Sequence, residues 1–134
     1  MAHCLTIRVY YEDTDLAGIV YYANYLKFIE RGRSEWLRQL GLDQAALKDD
    51  TGHVFAVRRI EAEYLRPAKF DELLDVTTET VTATAARVVL DQSVQRDGMT
   101  LFTARVTIVC LGPSGRPARL PAALIPALKG DADD

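Results

Sequence analysis

The stretch 22-YANYLKFIERGRSEWLRQL-40 decides the fold, because it is the one long helical pattern in the chain. Apolar or small residues recur on one face at steps of three or four, namely Tyr22, Tyr25, Ile29, Gly32, Trp36 and Leu40. The opposite face is polar. Gly32 lacks a side chain and lets another element approach closely, and Gly41 is the expected C-cap. The pattern predicts an amphipathic helix of about 28 Å, at 1.5 Å per residue.

On either side of this helix the pattern is that of strands, rich in β-branched and aromatic residues. One strand is predicted before the helix and four after it: Cys4–Tyr11, His53–Arg66, Leu73–Ala83, Ala86–Gln95 and Thr100–Cys110. No helix separates the last four, so antiparallel hairpins should join them. The sequence therefore predicts an α+β domain in which one long helix covers a five-stranded antiparallel sheet.

The turn around Asp97-Gly98 determines how the last two strands pair. A simple two-residue loop would place their apolar sets on opposite faces of the sheet. A three-residue loop, 96–98, pairs Val94 with Thr100 and places both sets on one face, as a single buried side requires. We therefore predict a type I turn with Gly98 at positive φ and a bulge.

Length and composition exclude several classes of protein. With 134 residues, one domain over 1–129 and a disordered acidic tail over 130–134 are expected. A net charge of −3 argues against nucleic-acid binding. There is no apolar run of about 20 residues and no signal-peptide pattern, so neither a transmembrane segment nor export is expected. Two cysteines make neither a disulfide framework nor a zinc site, so a cytoplasmic protein without a metal is predicted.

The densest chemical feature is 10-YYEDTDLAGIVYYANY-25, which holds five of the six tyrosines and three carboxylates. An acidic residue in a loop before a helix commonly caps it. Asp15, however, lies too far from the helical pattern to cap its first turn. Glu12 and Asp13 are better suited to ordering the loop.

The run from Asp13 to Tyr25 closely resembles the active-site signature of the 4-hydroxybenzoyl-CoA thioesterase family of hotdog-fold proteins. The resemblance continues through 30–35, 57–59, 64–68 and 116–121. The helix and the C-terminal segments are most similar to the Tol–Pal-associated acyl-CoA thioesterases. This resemblance implies a hotdog fold, in which the sheet wraps around the helix. It also implies a homodimer with active sites at the subunit interface, often paired again into a homotetramer.

The resemblance further implies the site residues. Asp15 matches the catalytic aspartate, acting as a base or as a nucleophile, and the backbone N–H of Tyr22 matches the group that polarises the thioester carbonyl. That branch commonly has histidine where this chain has Tyr22, whereas tyrosine is like the 4-hydroxybenzoyl-CoA enzyme. The predicted substrate-binding residues are Gly18, Val20, Tyr21, Tyr25, Arg58 and Arg59.

Arg58 and Arg59 are predicted to meet the phosphates of coenzyme A, because they lie on the strand expected at the subunit edge. The predicted activity is hydrolysis of a short or medium acyl-CoA, with coenzyme A entering only as part of the substrate and no separate cofactor. Two alternatives stay open: an aromatic acyl-CoA thioesterase, and a non-catalytic module that binds acyl-carrier protein or lipid-synthesis enzymes. A hotdog dehydratase is disfavoured, because neither His3 nor His53 lies in the loop–helix motif.

Overall fold

The computed structural model describes residues 2–130. The main elements follow one another along the chain as β1 (His3–Arg8), α1 (Asn24–Gln39), α2 (Gln44–Thr51), β2 (Val54–Tyr64), β3 (Leu73–Ala83), β4 (Val88–Arg96), β5 (Met99–Leu111), β6 (Pro117–Ala118) and α3 (Ile125–Lys129). Short 3₁₀ turns lie at Tyr11–Asp13 and Ala122–Leu124. Of the tail predicted over 130–134, residues 131–134 lie outside the described residues.

The strands form one antiparallel sheet in the order β1-β3-β4-β5-β2. The mixed helix-and-sheet class and the five long strands were therefore predicted correctly. A sixth strand, β6, was not predicted. After β5 the chain turns at Gly115, whose φ is +79°, and Pro117 and Ala118 return to pair with Leu111 and Cys110. Two residues are too few to leave an alternating pattern in the sequence.

The β4–β5 hairpin corrects the predicted turn. Arg96 lies opposite Met99, so the loop contains only Asp97 and Gly98, both at positive φ (51° and 79°). This is the pattern of a type I′ turn, whose twist matches that of the two strands. The pairing of Val94 with Thr100 was also wrong, since Val94 lies opposite Phe102.

Without a bulge, a two-residue loop would place the apolar sets of β4 and β5 on opposite faces of the sheet, and a bulge at Leu101 prevents this. Gln95 pairs with Thr100, and the next pair is Val94 with Phe102, so one residue of β5 is extra. The apolar sets of β4 and β5 consequently share one face, as predicted. A bulge was expected, but at the turn and not within β5.

Helix α1 packs its apolar face on the inner face of this sheet. Tyr25, Ile29 and Trp36 are at most 9% exposed, as predicted for this face. Tyr22 was also predicted there, but it lies two residues before the helix and is 61% exposed. Gly32 is the point of closest approach, because a Cβ there would lie 2.7 Å from Cγ1 of Val76. The C-cap is Leu40 and not Gly41 as predicted; Gly41 follows it with a φ of +82° and turns the chain away from the helix. Between residues 2 and 130, none of the helices is long and apolar enough to span a bilayer.

Candidate active site

Asp15 opens a tight turn between β1 and α1. Its N–H donates to the carbonyl of Ile19 (3.0 Å), and its own carbonyl accepts the N–H of Gly18 (2.9 Å). Gly18 has a φ of +80°, a conformation that costs other residues about 1–2 kcal/mol. The carboxylate is exposed and accepts the N–H of Ala17 through Oδ1 (2.9 Å). The turn thus presents a carboxylate at the surface on a fixed backbone.

The stem of this turn is anchored in the core. Val20, 3% exposed, donates its N–H to the carbonyl of Ala68 (2.8 Å). Asp13 is 7% exposed, and its Oδ2 accepts the N–H of Tyr10 (2.8 Å), so its predicted loop-ordering role is confirmed. The buried Asn24 side chain donates to the carbonyl of Asp13 (2.9 Å) and ties the turn to the first residue of α1.

The N-terminus of α1 follows this turn directly. The helix begins at Asn24, and Ala23 at its N-cap offers no side-chain cap. Tyr21 donates its N–H to Asp13, but within residues 2–130 the structure gives the N–H of Tyr22 no hydrogen-bond acceptor. Such a free donor, at the positive end of the helix dipole, suits a developing negative charge on a ligand.

A cluster of aromatic rings supports this helix start. The Tyr64 hydroxyl, from the end of β2, donates to the carbonyl of Tyr22 (3.0 Å). The Tyr64 ring contacts those of Tyr25 and Phe102, at centroid distances of 5.6 and 5.0 Å. The hydroxyl of Tyr25 accepts the N–H of Ala68 (3.1 Å). Burial raises the pKa of Tyr25, although the hydrogen bond from Ala68 opposes this. Burial and the neighbouring Tyr22 both raise the pKa of Tyr64, so both phenols stay neutral.

The predicted substrate-binding residues divide into three groups. Gly18 and Tyr21 are exposed beside Asp15, with the Tyr21 ring 4.8 Å from that of Tyr22. Val20 and Tyr25 are 3% exposed and lie in the core, where they support the turn from below. Their predicted contact with substrate stays a prediction.

Arg58 and Arg59 form the third group, and the structure does not bring them to Asp15 within one chain. Both are exposed on β2, the edge strand of the sheet, as predicted. Arg58 is the extra residue of a bulge, and Arg59 pairs with Glu61 (3.1 Å). At about 3.3 Å per residue, they lie roughly 16–20 Å along the strand from Tyr64.

A cavity of about 260 Å³ lies at the opposite end of β2 from Tyr64. Its apolar lining comes from the second half of α1, the start of β2, and the sheet and helix α3: Trp36, Leu37, Phe55, Val57, Ile108 and Leu128. Its polar lining is Glu30, Arg33, Ser34 and Gln44. Arg33 lies eleven residues after Tyr22, which is about 16 Å along a helix.

Two features of this region were missed in the sequence. Tyr64 entered the sequence analysis only within residues 64–68, which resemble the thioesterase family. Its position in the sequence does not predict a hydrogen bond to Tyr22. Gln92 carried a clearer signal, because it interrupts the apolar alternation of β4 between Leu90 and Val94. It is 2% exposed, and its side-chain oxygen accepts from Arg33 (3.0 Å).

The fold and this loop–helix site define a hotdog-type thioesterase-like protein. Residues 9–128 match the thioesterase-like superfamily, and the chain therefore belongs to that family. It is similar to the acyl-CoA thioester hydrolase YbgC of Escherichia coli O6:H1, with 38% identity over 125 residues that cover 92% of each chain. The family predicted from the Asp13–Tyr25 run is thus confirmed, while the Tol–Pal association stays a prediction.

Two solved structures are similar in fold. A probable thioesterase from Bartonella henselae superposes with a TM-score of 0.86 at 39% identity, covering 90% of this chain and all of that one. A mutant 4-hydroxybenzoyl CoA thioesterase complexed with 4-hydroxybenzoyl CoA superposes with a TM-score of 0.88 at 22% identity, covering 95% and 98% of the two chains. The second likeness concerns the fold alone.

Proposed function

We propose that the chain is an acyl-CoA thioesterase, which hydrolyses a thioester to the free acid and coenzyme A. The observation that carries the proposal is the pairing of an exposed carboxylate, Asp15, with the free N–H of Tyr22 at the start of α1. The similarity to an acyl-CoA thioester hydrolase over 92% of the chain supports the same class of substrate.

In this proposal the two groups divide the chemistry. The N–H of Tyr22, with the dipole of α1 behind it, stabilises the negative charge that develops on the thioester oxygen. Loss of one such donor typically raises a barrier by about 2.7–4 kcal/mol. Asp15 either activates a water molecule or attacks the carbonyl carbon itself to form an anhydride. The Tyr64 hydroxyl fixes the carbonyl of Tyr22 and so helps to orient the oxyanion donor.

The proposed enzyme is a homodimer, or a dimer of such dimers, paired through β2. This strand has eleven residues and only β5 beside it, so its outer edge is unpaired within residues 2–130. A long bare edge is a template for another strand. Tyr64, Leu65 and Val57 also expose 44–51% of their side chains there, which a second copy would cover.

Antiparallel pairing of two β2 strands around their midpoint completes the site. The strand runs from Val54 to Tyr64, so its midpoint is Arg59. A two-fold axis there sets the Tyr64 end of one copy against the Val54 end of the other. The cavity beside Phe55 would then open next to Asp15 and Tyr22 of the second copy and receive the acyl group.

For the acyl group we propose short to medium chains, and for the coenzyme A phosphates Arg58 and Arg59. The exposed Tyr21 and Tyr22 rings beside Asp15 favour an aromatic acyl group as the second candidate. A cytoplasmic location fits both, because acyl-CoA is made and used there, and Cys4 and Cys110 are free thiols. Acyl-carrier protein remains a proposed partner.

The test is hydrolysis of a panel of aliphatic and aromatic acyl-CoA thioesters by the wild type and by Asp15→Asn. We expect Asp15→Asn to lower kcat by about 10²–10⁴-fold without changing the melting temperature. Asp49→Asn, an exposed residue of α2, is the matched control and should keep full activity. Full activity of Asp15→Asn would refute the assignment, and no turnover of any thioester by the wild type would favour the non-catalytic binding module.

A further inference from the structure

The cavity beside α1 has a mainly apolar lining, and Arg33 is one of the four polar residues in it. The Arg33 side chain is partly buried, and burial lowers its pKa, although Glu30 opposes this. A guanidinium stays protonated in proteins even so. Among residues 2–130, no carboxylate lies within ion-pair distance of Arg33. A partly buried cation without an ion-pair partner is free to bind an oxygen atom of a ligand.

The surrounding structure holds this guanidinium in place. Gln92 donates its side-chain N–H groups to the carbonyl of Ile29 and to the hydroxyl of Thr78, each at 2.9 Å. These bonds fix the amide, so that its oxygen points to Arg33 and accepts one N–H at 3.0 Å. Gly32 allows β3 to approach here, because a Cβ at this position would lie 2.7 Å from Cγ1 of Val76 and 3.3 Å from the Thr78 hydroxyl to which Gln92 donates.

Arg33 therefore has hydrogen-bonding capacity to spare. A guanidinium carries five N–H donors, and Gln92 takes one of them. Glu30, the nearest carboxylate, accepts the hydroxyl of Ser34 (2.9 Å) and lines the same side of the cavity. The rest of the lining is mainly apolar. The cavity thus combines an apolar lining, which suits an acyl chain, with the guanidinium of Arg33, which Gln92 holds in place and which has N–H groups free to donate.

We propose that Arg33 is a specificity-determining residue that binds an oxygen atom at the far end of the acyl group. The inference rests on the proposed thioesterase activity and on the dimer that brings this cavity to Asp15 of the second copy. A hydroxyl and a carboxylate both supply such an oxygen. Glu30 beside Arg33 favours the hydroxyl, because it accepts a hydrogen bond from a hydroxyl and repels a carboxylate.

The experiment compares kcat/KM for matched acyl-CoA substrates of six and eight carbons. Each length is supplied unsubstituted, with a terminal hydroxyl, and with a terminal carboxylate. We expect wild-type enzyme to prefer the hydroxylated substrate over the unsubstituted one by about tenfold or more, the usual worth of a hydrogen bond to a charged group. Preference for the carboxylate instead would identify the acid as the source of the oxygen and also support the proposal.

Arg33→Met removes the donors at similar volume and should abolish that preference, measured as the ratio of kcat/KM for the hydroxylated and the unsubstituted substrate within the variant. Arg38→Met, on the exposed face of the same helix, is the matched control and should keep the preference. If Arg33→Met does not fold, the wild-type comparison still decides the question.

Equal or faster hydrolysis of the unsubstituted substrates by the wild type would overturn the role of Arg33 and leave the thioesterase standing. A preference that persists in folded Arg33→Met would do the same. Absence of turnover with every substrate would instead overturn the proposed function itself.

Discussion

At the scale of single residues, the site depends on tyrosines that are held neutral. Tyr25 is 3% exposed, and it connects the core of α1 to the loop before β3 through Ala68. Burial raises the pKa of its phenol above the ordinary value of 10.0. The phenol is harder to ionise in the folded protein than in the unfolded chain. The stability that the buried, neutral phenol gives the fold is therefore fully present below pH 10. It is lost as the pH rises toward the folded-state pKa.

This predicts a pH-dependent difference between the wild type and Tyr25→Phe. The free energy of unfolding of the wild type should fall relative to that of Tyr25→Phe as the pH rises above about 10. Urea denaturation at several pH values measures the difference. Tyr10→Phe, whose ring is 61% exposed, is the control and should follow the wild-type profile. A wild-type–Tyr25→Phe difference that is constant with pH would contradict the role given to burial.

At the scale of elements, the β4–β5 hairpin depends on its two turn residues. Asp97 and Gly98 both have positive φ, which a type I′ turn requires and which β-branched side chains resist. We expect Asp97→Asn to change stability by only a few tenths of a kcal/mol, and Asp97→Ile to cost about 1–2 kcal/mol. Chemical denaturation of the two variants measures this. Equal stability of both would mean that the turn is not type I′ in solution.

The same hairpin explains how far the sequence predicts the fold. The alternation of Val88, Leu90 and Val94 indicated which face of β4 is buried, because burial and side-chain period are local properties. The position of the bulge was not predictable. A bulge at Leu101 and a three-residue turn both place the apolar sets on one face, and only the geometry of the turn distinguishes them. The alternation of apolar residues along a strand therefore predicts which face of the strand is buried better than it predicts which residues pair across two strands.

The candidate site divides in the same way. The turn at Asp15 and the approximate beginning of the helix could be predicted from the sequence. Both depend on acidic and glycine residues that lie close in the chain to the amphipathic pattern. The bonds from Tyr64 to Tyr22 and from Arg33 to Gln92 join residues 42 and 59 positions apart. Such contacts depend on sheet order, which no local pattern records. Gly32 predicted a close approach to the helix but not which strand makes it. Gln92 in an apolar alternation was the one available hint.

At the scale of the whole molecule, the separation between the Asp15 turn and the cavity is the main argument for a shared site. Tyr22 lies just before α1 and Arg33 lies in the second half of that helix, so one chain cannot offer both to one short acyl group. The proposed dimer joins them across the β2 edges. Sedimentation equilibrium should therefore give at least twice the 14.9 kDa of one chain. A stable, fully active monomer would refute the shared site.

Mixed dimers test the sharing itself. Asp15→Asn removes the carboxylate, and Ser34→Trp is chosen to fill the cavity, which Ser34 lines. Each variant alone should be nearly inactive on a six-carbon acyl-CoA. A dimer with one copy of each, purified through two different affinity tags, holds one site with both parts intact and one with both altered. It should recover about half of the wild-type kcat, as two-fold symmetry requires.

The pattern of recovery distinguishes the possible arrangements. If Asp15 and the cavity of the same chain served one site, each site of the mixed dimer would carry one defect, and the mixed dimer would stay nearly inactive. A mixed dimer of Asp15→Asn with the wild type is the control, and it should also have about half of the wild-type kcat, because it retains one intact site. Inactivity of the first mixed dimer beside half activity of this control would show that each chain works alone, and would remove the cavity from the site of its neighbour.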